Sequence, residues 1–475
     1  MLFPTATFAL FFVVAFVANW LLRPHHTVWR LAMLAMSLYF YGYWDFRFVP
    51  LVLGSILCNW AIARAVAWAR ATDGRTTTST WLVRGAVAAN LGLLGVFKYY
   101  GFFVTSAVNL LNDVGIGANP PLLQIVLPIG ISFFTFHAIS YVVDVGRGDL
   151  EPVSLLDFAF CIVFFPHLVA GPIVRVTDLI DQVRLRPDPR TIPVAEAFFL
   201  IGAGLFKKVV ISSYVASQIV DPVFDAPRAH SGGEALLATY AYAVQIYADF
   251  SGYTDIAIGC ALLLGFRFPQ NFDGPYVSRS IQEFWRRWHM TLSSWLRDYL
   301  YIPLGGNRNG RSATYRNLAL TMLLGGLWHG AAWNFVVWGA LHGGALAGER
   351  YVKERWGHRL ALPGPVAAVG QWLLTFHVVC LAWIFFRAPD AGRAFDLLGR
   401  ILTDRGPSPL ITSTLLLVVA GAIAAQFIPR DVLVRMQRSF ALWPAGAQVA
   451  AAALVLVAVD VLGPEGIAPF IYFQF

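Results

Sequence analysis

Apolar stretches separated by short polar connectors recur along almost the whole chain. The candidates lie at residues 1–22, 29–44, 48–68, 81–103, 120–145, 156–174, 194–220, 235–266, 320–333, 334–347, 366–386, 410–427 and 449–462. A helix needs ~20 apolar residues to cross a bilayer, and grouping the shorter pieces predicts about eleven spans. Proline and glycine inside 127–144 and 164–173 predict broken or re-entrant helices, tolerated where irregular backbone lines an internal cavity. No soluble insertion is long enough to interrupt the series. The expected fold is an all-α, polytopic transmembrane helical bundle forming one domain over 1–475.

The polar connectors carry the topology. Arg64, Arg70, Arg75 and Arg84 flank 69–80, and Glu349 to Arg359 forms a charged run that reads as a loop. The bias of Arg and Lys toward the cytoplasmic side places both inside the cell, together with the segment holding Arg430, Arg435 and Arg438. The opening segment lacks a charged leader and a small-residue cleavage site, and reads as a retained first span.

Composition agrees with this pattern. Of 475 residues 57% are hydrophobic and only 13% charged, against about a quarter charged in an ordinary soluble domain. The net charge of +8 is scattered through connectors, with no basic tail or recognition motif, so anionic headgroups rather than nucleic acid are the expected counterpart. Cys58, Cys161, Cys260 and Cys380 each stand alone in an apolar segment, so neither a zinc site nor a disulfide framework is expected.

One stretch breaks the apolar monotony. From Gln270 to His329 the residues Arg, Asp, Glu, Asn and His crowd among Trp and Tyr. His329 sits in a segment that reads as membrane-embedded, where an ionisable side chain is costly and points to function, and imidazole suits general base work near neutral pH. Its bland reading is a buried imidazole bonded to a helix carbonyl. His289 closes a basic aromatic cluster and reads either as a second catalytic group or as an interfacial residue. Trp285, Arg286, Arg287, Trp288, Trp295 and Arg297 suit the phosphates and adenine of coenzyme A, or a phosphopantetheine arm, through charge and stacking. Positive-inside anchoring explains any single arginine equally well. Asp249, Asp255 and Asp298 are expected to satisfy nearby arginines or hydroxyls and to hold the cavity in shape, alongside Trp328.

Five ordered motifs then carry a resemblance: Pro128-Ile-Gly-Ile-Ser-Phe-Phe-Thr-Phe, Phe164-Phe-Pro-His-Leu-Val-Ala-Gly-Pro-Ile, Tyr247-Ala-Asp-Phe-Ser-Gly-Tyr-Thr-Asp, Glu283-Phe-Trp-Arg-Arg-Trp-His and Leu327-Trp-His-Gly. The chain resembles the membrane-bound O-acyltransferase family. Within it, the nearest pattern is the bacterial subgroup serving alginate O-acetylation and teichoic-acid D-alanylation. The match is dense over a motif-bearing core, 127–349, and thinner outside. His137 and His167 stand where the alginate-type pattern often has glutamine, which leaves the reaction class intact but not the substrate.

The resemblance implies transfer of an acyl group, most simply acetyl, from a cytoplasmic thioester to a hydroxyl on an extracytoplasmic polysaccharide such as alginate. His329 matches the family's catalytic histidine and His289 its second key polar position. A central tunnel, no tightly bound cofactor or metal, acetyl-CoA or an acyl carrier as donor, a periplasmic SGNH-type partner and a bacterial inner-membrane location follow as expectations. The aromatic tail, 466–475, resembles a C-terminal motif in which a tyrosine carries the acyl group, making Tyr472 a candidate relay. Teichoic acid, peptidoglycan and other exopolysaccharides are alternative acceptors. Broken helices with polar groups at mid-membrane also mark transporters and flippases, and a non-catalytic scaffold would leave His329 dispensable.

Overall fold

The computed structural model describes residues 1–73, 77–120, 123–169, 171–356, 364–463 and 471. Every secondary-structure element among them is helical. The chain divides into two compact units, residues 1–192 with 260–268, and residues 193–259 with 269–475.

Unit 1 contains α1 (Ala6–Leu22), α2 (His26–Asp45), α3 (Val49–Asp73), α4 (Thr77–Leu94), α5 (Tyr100–Asp113), α6 (Ile131–Arg147), α7 (Leu155–Val163), α8 (Phe165–Leu168) and α9 (Val176–Arg184). Polar caps set several starts: the Thr5 hydroxyl accepts from the Phe8 N–H at 3.2 Å, and Ser154 accepts from the Asp157 N–H at 3.1 Å. The breaks expected at proline and glycine are present. Gly130 takes a left-handed conformation (φ 72°) and starts α6, and a Cβ there would stand 2.9 Å from the Leu168 carbonyl oxygen. Phe164, with ψ 112°, separates α7 from α8, whose first turn holds Pro166, a residue with no N–H to continue the α7 ladder. Buried polar side chains pair internally, as a bilayer demands: Asn59 and Asn90 exchange side-chain hydrogen bonds, and Trp29 donates to Asn19 at 2.8 Å.

Unit 2 contains α10 (Val194–Leu205), α11 (Ser213–Val215), α12 (Asp221–Asp225), most of α13 (Gly232–Leu263), α14 (Ile281–Arg287), α15 (Met290–Leu296), α16 (Gly310–His329), α17 (Trp333–Trp356), α18 (Gly364–Arg387), α19 (Ala391–Thr403), α20 (Ser413–Ala425), α21 (Arg430–Ala441) and α22 (Ala445–Leu462). Single turns of wider π geometry occupy Phe206–Ser212, Ala216–Val220 and Arg297–Tyr301. Glycines set the close helix approaches. A Cβ on Gly339 of α17 would lie 2.4 Å from the Met322 carbonyl oxygen, and one on Gly326 of α16 would lie 2.2 Å from that of Phe335. The α16–α17 hairpin therefore packs backbone against backbone.

The polypeptide is a membrane protein of helical class. Among the described residues, four helical runs have the length and apolar character to cross a bilayer: His26–Thr72, Thr77–Asp113, Gly364–Arg387 and Ala445–Leu462. A pair bent by 95°, Ser413–Phe427 with Arg430–Ala441, adds a broken span or re-entrant element. Two connectors are shorter than the sequence suggests. Helix α17 runs on to Trp356 through the charged residues read as a loop, stapled by Arg350 Nε donating to Glu354 at 2.8 Å. That contact holds the Glu354 carboxyl below its ordinary range. Likewise α3 and α4 continue into the polar stretch 69–80, of which 74–76 lie outside the described residues.

Candidate active site

The site is built on the α16–α17 hairpin. His329 is the last residue of α16; Gly330 is extended, and α17 starts at Trp333. The His329 ring, 5% exposed, meets Trp338 at 4.9 Å between centroids, Trp328 at 5.1 Å and Phe386 at 5.1 Å. An imidazole enclosed by aromatic faces is shielded from bulk water, and the uncharged ring is the form a base must present.

His289 lies in the break between α14 and α15 with φ 41°, the one non-glycine residue with positive φ among those described. The Phe284 carbonyl accepts from the Trp288 N–H at 2.8 Å, the Asn271 carbonyl from the Met290 N–H at 2.9 Å, and the Arg287 carbonyl from the Asp273 N–H at 3.0 Å. A left-handed histidine costs roughly 1–2 kcal/mol and survives where surrounding bonds over-determine it. Its ring is fully buried against Phe250 at 4.6 Å and Trp328 at 6.0 Å. The indole of Trp328 therefore touches both histidines, and this is how the structure brings His289 and His329 together.

The other candidates separate into three groups. Trp285 and Trp288 are buried against protein rings: Trp288 stacks on Phe284 at 5.6 Å and tilts against Trp383 at 5.0 Å, and Trp285 meets His342 edge-to-face at 5.1 Å. Arg286 is exposed; Arg287 pairs with Glu283 at 3.0 Å; Arg297 is exposed and pairs with its neighbour Asp298 at 2.7 Å. The remaining aspartates find lysines that sequence reasoning missed. Asp249 forms a fully buried ion pair with Lys208, and Asp255 pairs with Lys207 at 2.6 Å while Lys207 also donates to Ser251 at 3.0 Å. The second oxygen of Asp249 accepts the backbone N–H of Ile471 at 3.0 Å, which ties that residue to α13. Tyr472 lies outside the described residues.

His137 and His167 belong to unit 1, where their buried rings meet at 5.0 Å and His167 Nε2 bonds the Cys161 carbonyl at 3.0 Å. His342 was not singled out from the sequence. It is wholly buried on α17, one helical turn from Trp338, and its only sequence signal is a second His-Gly pair inside an apolar helix.

An all-helical membrane protein with a buried histidine ending one helix of a glycine-packed hairpin, and a second histidine held in strained backbone beside it, fits acyl transfer chemistry. The membrane-bound O-acyltransferase family model matches residues 122–386. A protein of Pseudomonas aeruginosa named "Probable alginate O-acetylase" is 43% identical over 394 residues, covering 82% of this chain and 72% of the relative. A peptidoglycan O-acetyltransferase of Helicobacter pylori is 37% identical over 80% of this chain and 75% of its own length. A teichoic acid D-alanyltransferase of Streptococcus thermophilus is 31% identical over 50% of this chain and 59% of the relative.

The chain belongs to the membrane-bound O-acyltransferase family, and it is an O-acyltransferase.

Proposed function

We propose that this protein moves an acetyl group from a cytoplasmic thioester across the bacterial inner membrane for O-acetylation of an extracytoplasmic polysaccharide, alginate being the favoured acceptor. The relatives named for alginate and peptidoglycan O-acetylation support that choice, since they align over most of the chain. The observation that carries the chemistry is the enclosure of His329 by Trp328, Trp338 and Phe386.

In this reading His329 takes the proton of an attacking hydroxyl. The oxygen forms a bond to the thioester carbonyl carbon, the carbon–sulfur bond breaks, and the leaving thiolate recovers the proton from the imidazolium. General base catalysis of this kind contributes about 10²–10⁴-fold. His289, fixed in orientation by its backbone, donates to the carbonyl oxygen as negative charge develops there. Trp328 holds the two rings in register. The lysine-paired Asp249 and Asp255 keep α13 in place, and exposed Arg286 and Arg297 attract the donor's phosphates.

Acetyl-CoA is the proposed donor, an acyl carrier protein its competitor, and a periplasmic SGNH-type acetyltransferase the proposed partner that passes the group to polymer. Tyr472 is the proposed acyl relay, and the hydrogen bond from its sequence neighbour Ile471 to the buried Asp249 supports that role. Proteoliposomes given labelled acetyl-CoA on one face and polymannuronate with the partner on the other test the proposal. Label appearing in polymer supports it; label released only as acetate on the donor face overturns transfer across the membrane. In the same assay, full polymer labelling by Tyr472→Phe rules out the relay.

A further inference from the structure

His342 presents a buried polar group that the mechanism above does not use. Its side chain is inaccessible, and neither ring nitrogen has a hydrogen-bond partner among the described residues. A neutral imidazole always carries one donor and one acceptor, so two bonds are missing. Around it stand Trp338 at 4.7 Å, Trp285 at 5.1 Å, Phe284 at 6.0 Å and Trp383 at 6.5 Å between ring centroids. The three tryptophans are at most 9% exposed; the indole N–H groups of Trp285 and Trp338 likewise lack an acceptor among the described residues, while Trp383 turns its N–H to the Tyr276 hydroxyl.

Three buried polar side chains in mutual contact, all unsatisfied, are not a stable hydrophobic core. Each unmade bond works against folding, and phenylalanine at position 342 would fill the same box without that penalty. The inventory also selects the ligand. Two neutral donors and one donor–acceptor call for an uncharged group rich in carbonyl or hydroxyl oxygen, and aromatic faces suit its apolar stretches. Trp338 touches both His342 and His329, so a group held in the box lies one ring away from the proposed base.

We propose that His342, with the indole N–H groups of Trp285 and Trp338 and the ring of Trp383 as a wall, forms a binding site for an uncharged, oxygen-bearing part of a substrate beside His329. Two sources share that chemistry: the amide carbonyls of the donor's carrier arm and the hydroxyls of the acceptor. The assignment rests on the acyl transfer reading of His329. His342 binds and orients; it exchanges no proton with the reacting atoms.

The test uses the full-length protein in detergent, with its periplasmic partner present, carrying His342→Phe, which keeps the packing and removes both nitrogens, or His342→Gln, which restores a donor and an acceptor. Half-saturation is measured for acetyl-CoA and for a mannuronate oligomer, and binding of a non-cleavable thioether analogue of acetyl-CoA is followed by thermal shift. His342→Phe is expected to fold with an equal or higher Tm and to raise half-saturation for one probe at least about tenfold, with kcat changed less than about threefold. His342→Gln recovers most of that loss. A rise for acetyl-CoA, with weaker analogue binding, identifies the carrier arm; a rise for the oligomer alone identifies the acceptor. Half-saturation unchanged for both probes, or a fall confined to kcat, overturns the assignment. His329→Ala separates the two readings: if it loses turnover yet binds the analogue normally, the catalytic reading stands whatever His342 does.

Discussion

The side-chain carbonyl of Asn271 accepts both the backbone N–H of Thr291, at 3.2 Å, and its hydroxyl, at 2.9 Å. This double contact, with the Asn271 carbonyl bound to the Met290 N–H, clamps the residue pair that follows His289. The clamp gives the strained φ of His289 a physical cause: the backbone is held from a loop twenty positions earlier, and the ring is thereby presented to Trp328. Replacing the ring removes the same packing in His289→Ala and His289→Gly, yet only glycine is at ease with positive φ. His289→Gly is therefore expected to be more stable than His289→Ala by about 1 kcal/mol, both being impaired in turnover. Equal Tm values for the pair would show that the backbone carries no strain.

The α16–α17 hairpin has no room at its crossing. Gly339→Ala places a methyl 2.4 Å from the Met322 carbonyl oxygen, backbone that cannot swing aside. The helices must separate, at a cost of about 1–3 kcal/mol. Because α16 carries His329 and α17 carries Trp338, the variant is expected to lose turnover beyond its loss of Tm. Gly344→Ala, where a Cβ meets nothing within 4 Å, serves as the control and is expected to leave both unchanged.

Lys208 and Asp249 are 2% and 4% exposed at their side chains. Lys208→Met leaves a buried carboxylate without its cation and is expected to cost about 3–5 kcal/mol, whereas the double variant Lys208→Met with Asp249→Leu should recover most of it. Thermal unfolding in detergent reads both. A double variant as unstable as the single would mean that the pair itself, rather than the avoidance of a lone charge, holds α13.

Asp404 closes the segment after α19. The Gly406 N–H, at 3.2 Å, holds its carboxyl below the ordinary carboxylate range, helped by the Gly232 N–H at 3.1 Å and by Arg400 and Arg405. A depressed carboxylate stabilises the fold above its unfolded pKa, and the contribution disappears as pH falls through its folded value. The start of α13 should thus exchange its Gly232 amide faster as the solution is acidified below the usual carboxylate range. Asp404→Asn should show fast exchange at every pH; an amide equally protected in the variant contradicts the role.

The helix breaks at Gly130 and Phe164 were legible because proline and glycine declare themselves locally. His289 and His329 were legible because the motifs around them are dense in polar aromatics. Other features depend on contacts between distant helices. Lys207 and Lys208 read as ordinary basic residues, since nothing local says that they meet Asp255 and Asp249 on another helix. His342 was hidden for the same reason: one histidine in an apolar helix looks structural until the rings of α14, α17 and α18 are seen around it. The charged end of α17 reads as a loop in the sequence because charge density suggests solvent, whereas Arg350 and Glu354 fall one turn apart and support the helix.

The central claim, that His329 is the base of acyl transfer, is tested most directly by coenzyme A release from acetyl-CoA by purified protein, with polymannuronate and its periplasmic partner present. Wild type is expected to turn over, and folded His329→Ala to fall by about 10²-fold or more with donor binding retained. Release by His329→Ala at the wild-type rate would contradict the account.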